Sequence, residues 1–454
     1  LSRKEFRMQK TRDMTKGPIE KHILAFALPL MLGNIFEMLY NTVDSIVVGN
    51  FVGTQALAAI SATTMIVNIA VFFLNGFSVG ATVVISNAFG AEDKKRLHTA
   101  VETTITTTFV LCALFTFFGI FGTDFLLNLM ATPKDVFGEA HTYLVIYFAG
   151  VSGLLLYNIG SGILRAVGDA KRPLLFLIFT SILNIFGDLL FVLVFHKGIA
   201  GVAYATIISE AISAVMIMYL LIHTDAIYKF KWRDMQIERN TFGRIMSIGL
   251  PNGIQSVITA VSNIFVQGYI NHFGSICMAS WGSYNKIDSF IFLPIQSMAM
   301  AATTFVGQNA GARNEKRVNR GTVDSVVTSV TISGIIGVVI WIFAPAAMNL
   351  FTNDAKVIAM GTMFTRTNCF FLMFNAVNHV LAAALRGRGD SIGPMAIMLI
   401  GFVAIRQIYL FVLTHYISNT AQLVGFGYPV GWMTTCVLEI IYFIVKWKKL
   451  GKKE

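Results

Sequence analysis

Near the front of the chain, Asn34, Glu37, Asn41 and Asp44 interrupt a stretch of otherwise apolar residues. At about 100° per residue, their spacing puts all four on one face of a helix. A carboxylate inside a membrane helix costs roughly 2.5–3.5 kcal/mol on insertion scales, so such a face belongs against water or a partner, not lipid. Asp44 is therefore a candidate proton site and Glu37 a candidate substrate or proton contact. Asn34 and Asn41 are candidate substrate contacts on the same face. Ser181, Asn184 and Asp188 form a second single-face stripe, and Thr206, Ser209, Glu210 and Ser213 a third. Three such stripes suggest a hydrated pocket. Burial raises the pKa of a carboxylate and a second carboxylate nearby raises it further, so a pair of them can take up and release protons near neutral pH.

The elements that carry these residues are membrane spans. The chain has 454 residues, 55% hydrophobic and 13% charged, which excludes a soluble globular domain. Twelve apolar segments are predicted, at 22–50, 54–88, 98–121, 136–163, 173–195, 199–222, 243–271, 276–307, 322–345, 356–384, 394–415 and 422–445. No cleavable signal is expected, because the first segment is too long and runs directly into the polar stripe. Cys112, Cys277, Cys369 and Cys436 all lie in apolar runs and read as small buried hydrophobes without disulfide or metal spacing. The net charge of +11 does not point to nucleic acid, because the basic residues sit in short loops and at both ends. With both termini cytoplasmic, Arg3, Lys4, Arg7 and Lys10, Lys94–Arg96, the central loop, Arg313–Arg320 and the tail lysines all fall inside. Only Lys134, Lys197 and Lys356 fall outside.

The polar linker at 223–242 separates an N-terminal segment (1–21) and six spans (22–222) from six more spans (243–445) and a basic tail (446–454). The halves repeat. Leu28-Pro29 recurs as Leu250-Pro251, and the loop Gly90–Arg96 as Gly311–Arg317. Leu164-Arg165-x-x-Gly168-Asp169-x-x-x-Pro173 recurs as Leu385-Arg386-x-x-Gly389-Asp390-x-x-x-Pro394. All three pairs are offset by 221 or 222 residues. An even number of spans per copy keeps the copies parallel. The expected fold is thus an all-α integral membrane protein of twelve transmembrane helices, as two six-helix bundles related by a parallel pseudo-two-fold repeat.

Taken in order, Pro29, Tyr40-Asn41-Thr42-Val43-Asp44, Gly49, Gly53, Ala56–Ala59, Val306–Ala312 and both LRxxGDxxxP loops resemble the multidrug and toxic compound extrusion (MATE) family of cation antiporters. The resemblance covers essentially the whole chain and is nearest the DinF-type branch, whose first lobe carries an acidic pair. It implies that Asp44 and Asp188 form that pair, with Asn184, Asn158 and Thr206 in the same coupling site. It also implies that the first helix bends at Pro29 when the pair is protonated, squeezing substrate from the lobe. The bland reading of Pro29, a plain kink shared with Pro251, stands beside it. The sodium-coupled NorM-type branch uses acids on the seventh and tenth spans. Here the seventh span has none and the tenth offers Arg366.

The second copy serves as a control. At an offset of 222, Glu37 becomes Thr259, Asn41 stays as Asn263 and Asp44 becomes Val266; at 221, Asp188 becomes Tyr409. The seventh span keeps a polar face that includes Gln255 and Asn263, but every member is neutral. Gln255 and Asn263 are candidate substrate contacts, as is Met38, whose soft side chain suits varied ligands. No cofactor, metal motif or enzyme signature is read from the chain. The expected activity is secondary efflux of an amphipathic, cationic organic compound in exchange for protons, by alternating access of the lobes. Sodium as coupling ion and a lipid-linked saccharide flippase are the alternatives. The expected setting is a monomer in the inner (plasma) membrane, multi-pass, with the lipid bilayer and a small organic substrate as its only partners.

Overall fold

The structure, a computed structural model, describes residues 12–450. Arg3, Lys4, Arg7, Lys10, Lys452 and Lys453, which contribute to the charge asymmetry, lie outside the described residues. The described chain is almost wholly helical. The first six helices are α1 (Ile19–Val47), α2 (Thr54–Gly90), α3 (Lys94–Leu129), α4 (Lys134–Ala166), α5 (Lys171–Leu189) and α6 (Gly198–His223). They are followed by α7 (Arg239–Asn271), α8 (Ser275–Gly311), α9 (Glu315–Asn349) and α10 (Ala355–Gly387, with a 3-10 turn at Cys369–Phe371). The last two are α11 (Ile392–Ile417) and α12 (Gly427–Leu450, after the short turn Ala421–Gly425).

Eleven of the described helices are long and apolar enough to cross a membrane. The twelfth, α7, has the length, at 33 residues, but not the hydropathy. Its neutral polar face, with Asn252, Gln255, Ser256, Thr259, Asn263 and Gln267, is the cause. Several helices outrun their apolar cores. α3 starts four residues before the predicted span because Asp93 caps it, accepting the Arg96 N–H at 3.0 Å. α9 starts early for the same reason, with Asn314 accepting the Arg317 N–H at 3.1 Å.

The repeat holds at atomic detail. The loop after α2 puts Glu92 at φ 55°, and the loop after α8 puts Arg313 at φ 56°. Gly168 and Gly389, the glycines of the two LRxxGD loops, have φ 86° and 91°, a left-handed backbone that glycine adopts without strain. The Thr82 hydroxyl donates to the Gly162 carbonyl at 3.2 Å, and the Thr303 hydroxyl to the Ala383 carbonyl at 3.3 Å. Each is a helix-to-helix contact at the same place in its copy.

Among the described residues two compact units emerge, one of residues 28–250 with 12–14 and the other of residues 251–450 with 15–27. Their boundaries fall inside α1 and α7, beside Pro29 and Pro251, and not in the polar linker. The linker belongs to the first unit because its aromatic residues are core: Tyr228 and Phe230 are buried, and the Phe230 N–H donates to the Leu221 carbonyl at 2.9 Å. In the first unit α4 is central, packing on α2, α3 and α6. α10 has the same place in the second, against α8, α9 and α12.

Candidate functional site

The first unit holds a pocket between α1, α4, α5 and α6, with about 530 Å³ of empty space that includes its opening to solvent. Glycine lets its walls come together. A Cβ on Gly153 of α4 would stand 2.8 Å from the Glu210 carbonyl carbon and the Ala211 nitrogen, so only glycine admits this approach of α6. The approach brings Thr206, Ser209 and Glu210 to one wall. α5 supplies Thr180, Ser181 and Asn184, α4 supplies Tyr157 and Asn158, and α1 supplies Glu37 and Tyr40. All three polar stripes therefore reach one cavity. Asn34, Met38 and Asn41 are not among the lining residues, and Asn41 is exposed on α1.

The lining is polar but sparsely bonded. Most hydroxyls return to their own helices: Thr206 donates to the Val202 carbonyl at 3.0 Å and Ser213 to the Glu210 carbonyl at 2.8 Å. Asn158 does the same with its amide, to the Leu154 carbonyl at 3.0 Å. Asn184 is buried, yet neither its amide nitrogen nor its oxygen has a partner; the Ser181 hydroxyl and Glu210 Oε2 are likewise unpartnered. Polar groups buried in this way are costly unless a ligand or water meets them. Glu37 interacts electrostatically with Arg165 and with Glu210, so one cation and two acids act on the same space.

Asp44 on α1 and Asp188 on α5 meet side chain to side chain. Asp188 is completely buried, and no donor reaches either of its oxygens or Asp44 Oδ1. Ionised carboxylates only accept hydrogen bonds, so two of them facing each other need a proton between them or a cation. Both helices pass into π turns just beyond the acids, at Val48–Val52 and Leu190–Val194. Such turns recur at functional sites in helices. Tyr143 of α4 feels the charges of Asp44, Asp188 and Glu210 together, which ties the pair to the pocket wall.

The second unit repeats the scaffold without the acids. Val266 and Tyr409, the counterparts of Asp44 and Asp188, join one apolar cluster around Trp281 and Phe364. The Tyr409 hydroxyl donates to the Leu423 carbonyl at 3.0 Å. Gln255 is buried, its amide nitrogen 2.8 Å from Met398 Sδ, while Asn263 is exposed on α7. The cations of this unit pack. Arg366 bonds the Trp341 carbonyl at 3.1 Å and lies over its ring, and Arg406 donates to the Ser262 hydroxyl at 2.6 Å beneath Tyr428. Lys286 sits over the Phe351 ring.

Sequence reasoning did not single out Tyr40, Tyr157 or Thr180 as lining. The signal was present for two of them: Tyr40 lies three residues past Glu37 on the same face, and Tyr157, Ser161 and Arg165 recur at every fourth position of α4.

Among known proteins, the chain is 29% identical over 447 residues to the "Probable multidrug resistance protein YpnP" of Bacillus subtilis (strain 168), covering 97% of this chain and 98% of that one. It is 26% identical over 454 residues to the "Probable multidrug resistance protein NorM" of Thermotoga maritima, covering 95% and 94%. A solved MATE structure in the straight conformation superposes with a TM-score of 0.92 at 24% identity, over 98% of this chain and 99% of that one. Its fold of twelve helices in two lobes is the fold described above. The MatE family model matches twice, at residues 29–190 and 249–412, once in each copy of the repeat. With most of its length inside those two matches, the chain belongs to the MatE family.

Proposed function

We propose that this chain is a secondary active antiporter that exports amphipathic organic cations in exchange for protons. The observation that carries the reading is the Asp44–Asp188 contact: two facing carboxyls, Asp188 fully buried without a donor and Asp44 partly buried, in the lobe that holds the polar pocket. Two facing carboxylates hold either a proton or a positive charge from outside, and the two options exclude each other. Protonation from the outer side then weakens the hold on a cation, and deprotonation on the inner side restores it. Competition for one pair is sufficient for coupling, with access alternating between the two sides. The names of the relatives, multidrug resistance proteins and multidrug export proteins, fit a broad organic substrate range. The same reading has the chain in the cell membrane with both ends cytoplasmic.

Sodium is the second reading for the coupling ion, favoured by one observation. The unpartnered Asn184 Oδ1 lies with the lining of the same lobe as the acid pair and adds a neutral oxygen to its carboxylates. One experiment separates them. Efflux of a fluorescent organic cation is followed in reconstituted vesicles, first with an imposed pH gradient and then with a sodium gradient at fixed pH. The proposal requires the pH gradient alone to drive transport, and Asp44→Asn or Asp188→Asn to abolish the response. Full proton-driven efflux in both variants sinks it, and a response to sodium alone moves the assignment to the second ion.

A further inference from the structure

Outside the pocket, α3 and the linker after α6 bring together three side chains of a type that ligates metals. His98 and Glu102 are one helical turn apart on α3, and Asp234 approaches from the 3-10 turn Trp232–Asp234. His98 Nε2 is 3.0 Å from Asp234 Oδ2 and 3.8 Å from Glu102 Oε1. One ligand atom from each residue lies within 4.8 Å of the other two. In a tetrahedral zinc site with metal–ligand distances near 2.0–2.2 Å, ligand atoms stand about 3.3 Å apart, so the observed spacings straddle that value.

The second observation is Glu102 itself. It is 0% exposed, and its Oε1 accepts the Lys231 backbone N–H at 2.9 Å, but Oε2 has no donor. A buried carboxylate left half-satisfied in this way is costly, and a cation shared by Glu102, the imidazole and Asp234 would offset its charge. The linker that carries Asp234 is already fixed on either side. Phe230 is buried in the unit's core, Trp232 packs on Phe109 with ring centroids 5.6 Å apart, and the Glu238 N–H donates to Thr103 Oγ1 at 3.1 Å. An ion would therefore meet a preset loop. The remaining neighbour is the Lys231 ammonium, 3.8 Å from Asp234 Oδ2 and more than half exposed, which is free to swing away.

We propose that His98, Glu102 and Asp234 bind one divalent transition-metal ion, with zinc the best match to a nitrogen–carboxylate set, and that solvent completes its coordination. The ion clips the linker to α3. This site is independent of the acid pair, since it shares no residue with the pocket.

The test uses the full chain purified without a histidine tag and stripped with a chelator. Zinc is titrated against a competing chromophoric chelator, and cobalt is followed by its visible absorption. One equivalent should bind with a Kd in the micromolar range or below and raise the thermal midpoint. His98→Ala and Asp234→Asn should each weaken binding at least tenfold and remove the cobalt spectrum, while remaining monodisperse and retaining cation efflux. Asp234→Asn changes a partly exposed loop position, so it reports on the site even if His98→Ala fails to fold. The absence of saturable zinc binding to the native chain overturns the proposal. So does zinc binding at native strength in a folded Asp234→Asn variant, which would leave the cluster as a histidine–carboxylate latch.

Discussion

Among single residues, the proposed coupling requires Asp44 and Asp188 to be one site instead of two. Groups that share a ligand are not additive, so removing either should cost nearly as much as removing both. Asp44→Asn and Asp188→Asn are each expected to cut pH-gradient-driven efflux by about tenfold or more, with the double variant within about twofold of the worse single one. Initial efflux rates in vesicles with matched protein content would check this. Multiplying effects would show two separate sites and remove the basis for competition. Asp44 and Asp188 were legible in the sequence because a carboxylate in a span is conspicuous against apolar neighbours, and the second copy supplied Val266 and Tyr409 as a blank. Tyr40 and Tyr157 were not, because a tyrosine in a span usually marks an interface or fills a core. Asn34 and Asn41 share a helix face with Glu37 without lining the pocket, since a stripe of this length outruns the cavity, and Met38 does not line it either.

At the scale of elements, the pocket depends on how closely α6 lies against α4. Gly153 sets that distance, and its neighbour on the same helix, Gly138, would add a Cβ into open space. Gly153→Ala should therefore force the helices apart, costing about 1–3 kcal/mol by overpacking, and displace Thr206 and Glu210. Gly138→Ala should be neutral or stabilising by roughly 0.5–1 kcal/mol, as for any glycine in a helix interior. Thermal unfolding in detergent with a substrate-binding assay distinguishes them, and equal behaviour of the two variants would refute the role given to Gly153. A second element-level prediction concerns Asp390, in the loop that starts α11. Burial alone would push its carboxyl up. The Lys446 ammonium at 2.9 Å, the Tyr442 hydroxyl at 2.8 Å and the Gly393 N–H at 3.2 Å outweigh burial and hold it below the usual carboxylate range. A depressed carboxyl contributes stability that is present above its unfolded pKa and lost as pH falls through the folded one. Asp390→Asn should thus lower the thermal midpoint near neutral pH, by about 1 kcal/mol for the helix-start contact alone, and the gap to the native chain should close in acid. A gap independent of pH would mean that the carboxylate charge is not what ties this loop to α12. All the long helices but α7 were legible from hydropathy. Their ends were not, because Asp93 and Asn314 start α3 and α9 by capping, which no apolar window detects. The linker's attachment to the first unit was not legible for a related reason: its polar letters concealed Tyr228 and Phe230, which are buried there.

Across the whole molecule, one scaffold is present twice and only one copy carries the Asp44–Asp188 pair. The repeat was legible because glycines and acids in the LRxxGD loops meet backbone demands that recur in both copies, at Gly168 and Gly389. The sides of the helices were free to diverge. In the second unit the equivalent positions are filled by Val266 and Tyr409 in an apolar cluster, and Arg366 and Arg406 serve packing. The single proton-binding pair proposed above would set a stoichiometry that can be tested electrically. Exchange of one proton for one monovalent organic cation moves no net charge, so a membrane potential should leave its rate and final gradient unchanged. Exchange of one proton for a neutral compound moves one charge inward, worth about 2.3 kcal/mol per 100 mV, or roughly a fiftyfold concentration ratio. In vesicles with a potassium diffusion potential of either sign and a constant pH gradient, the final gradient of a quaternary ammonium dye should therefore be indifferent to the potential. That of a neutral amphipath should follow it. A dye gradient that steepens when the proton-receiving side is made negative would require more than one proton per cycle. The second proton would then need a carboxyl outside the Asp44–Asp188 pair, and Glu37 and Glu210, on the walls of the same pocket, are the two to substitute first.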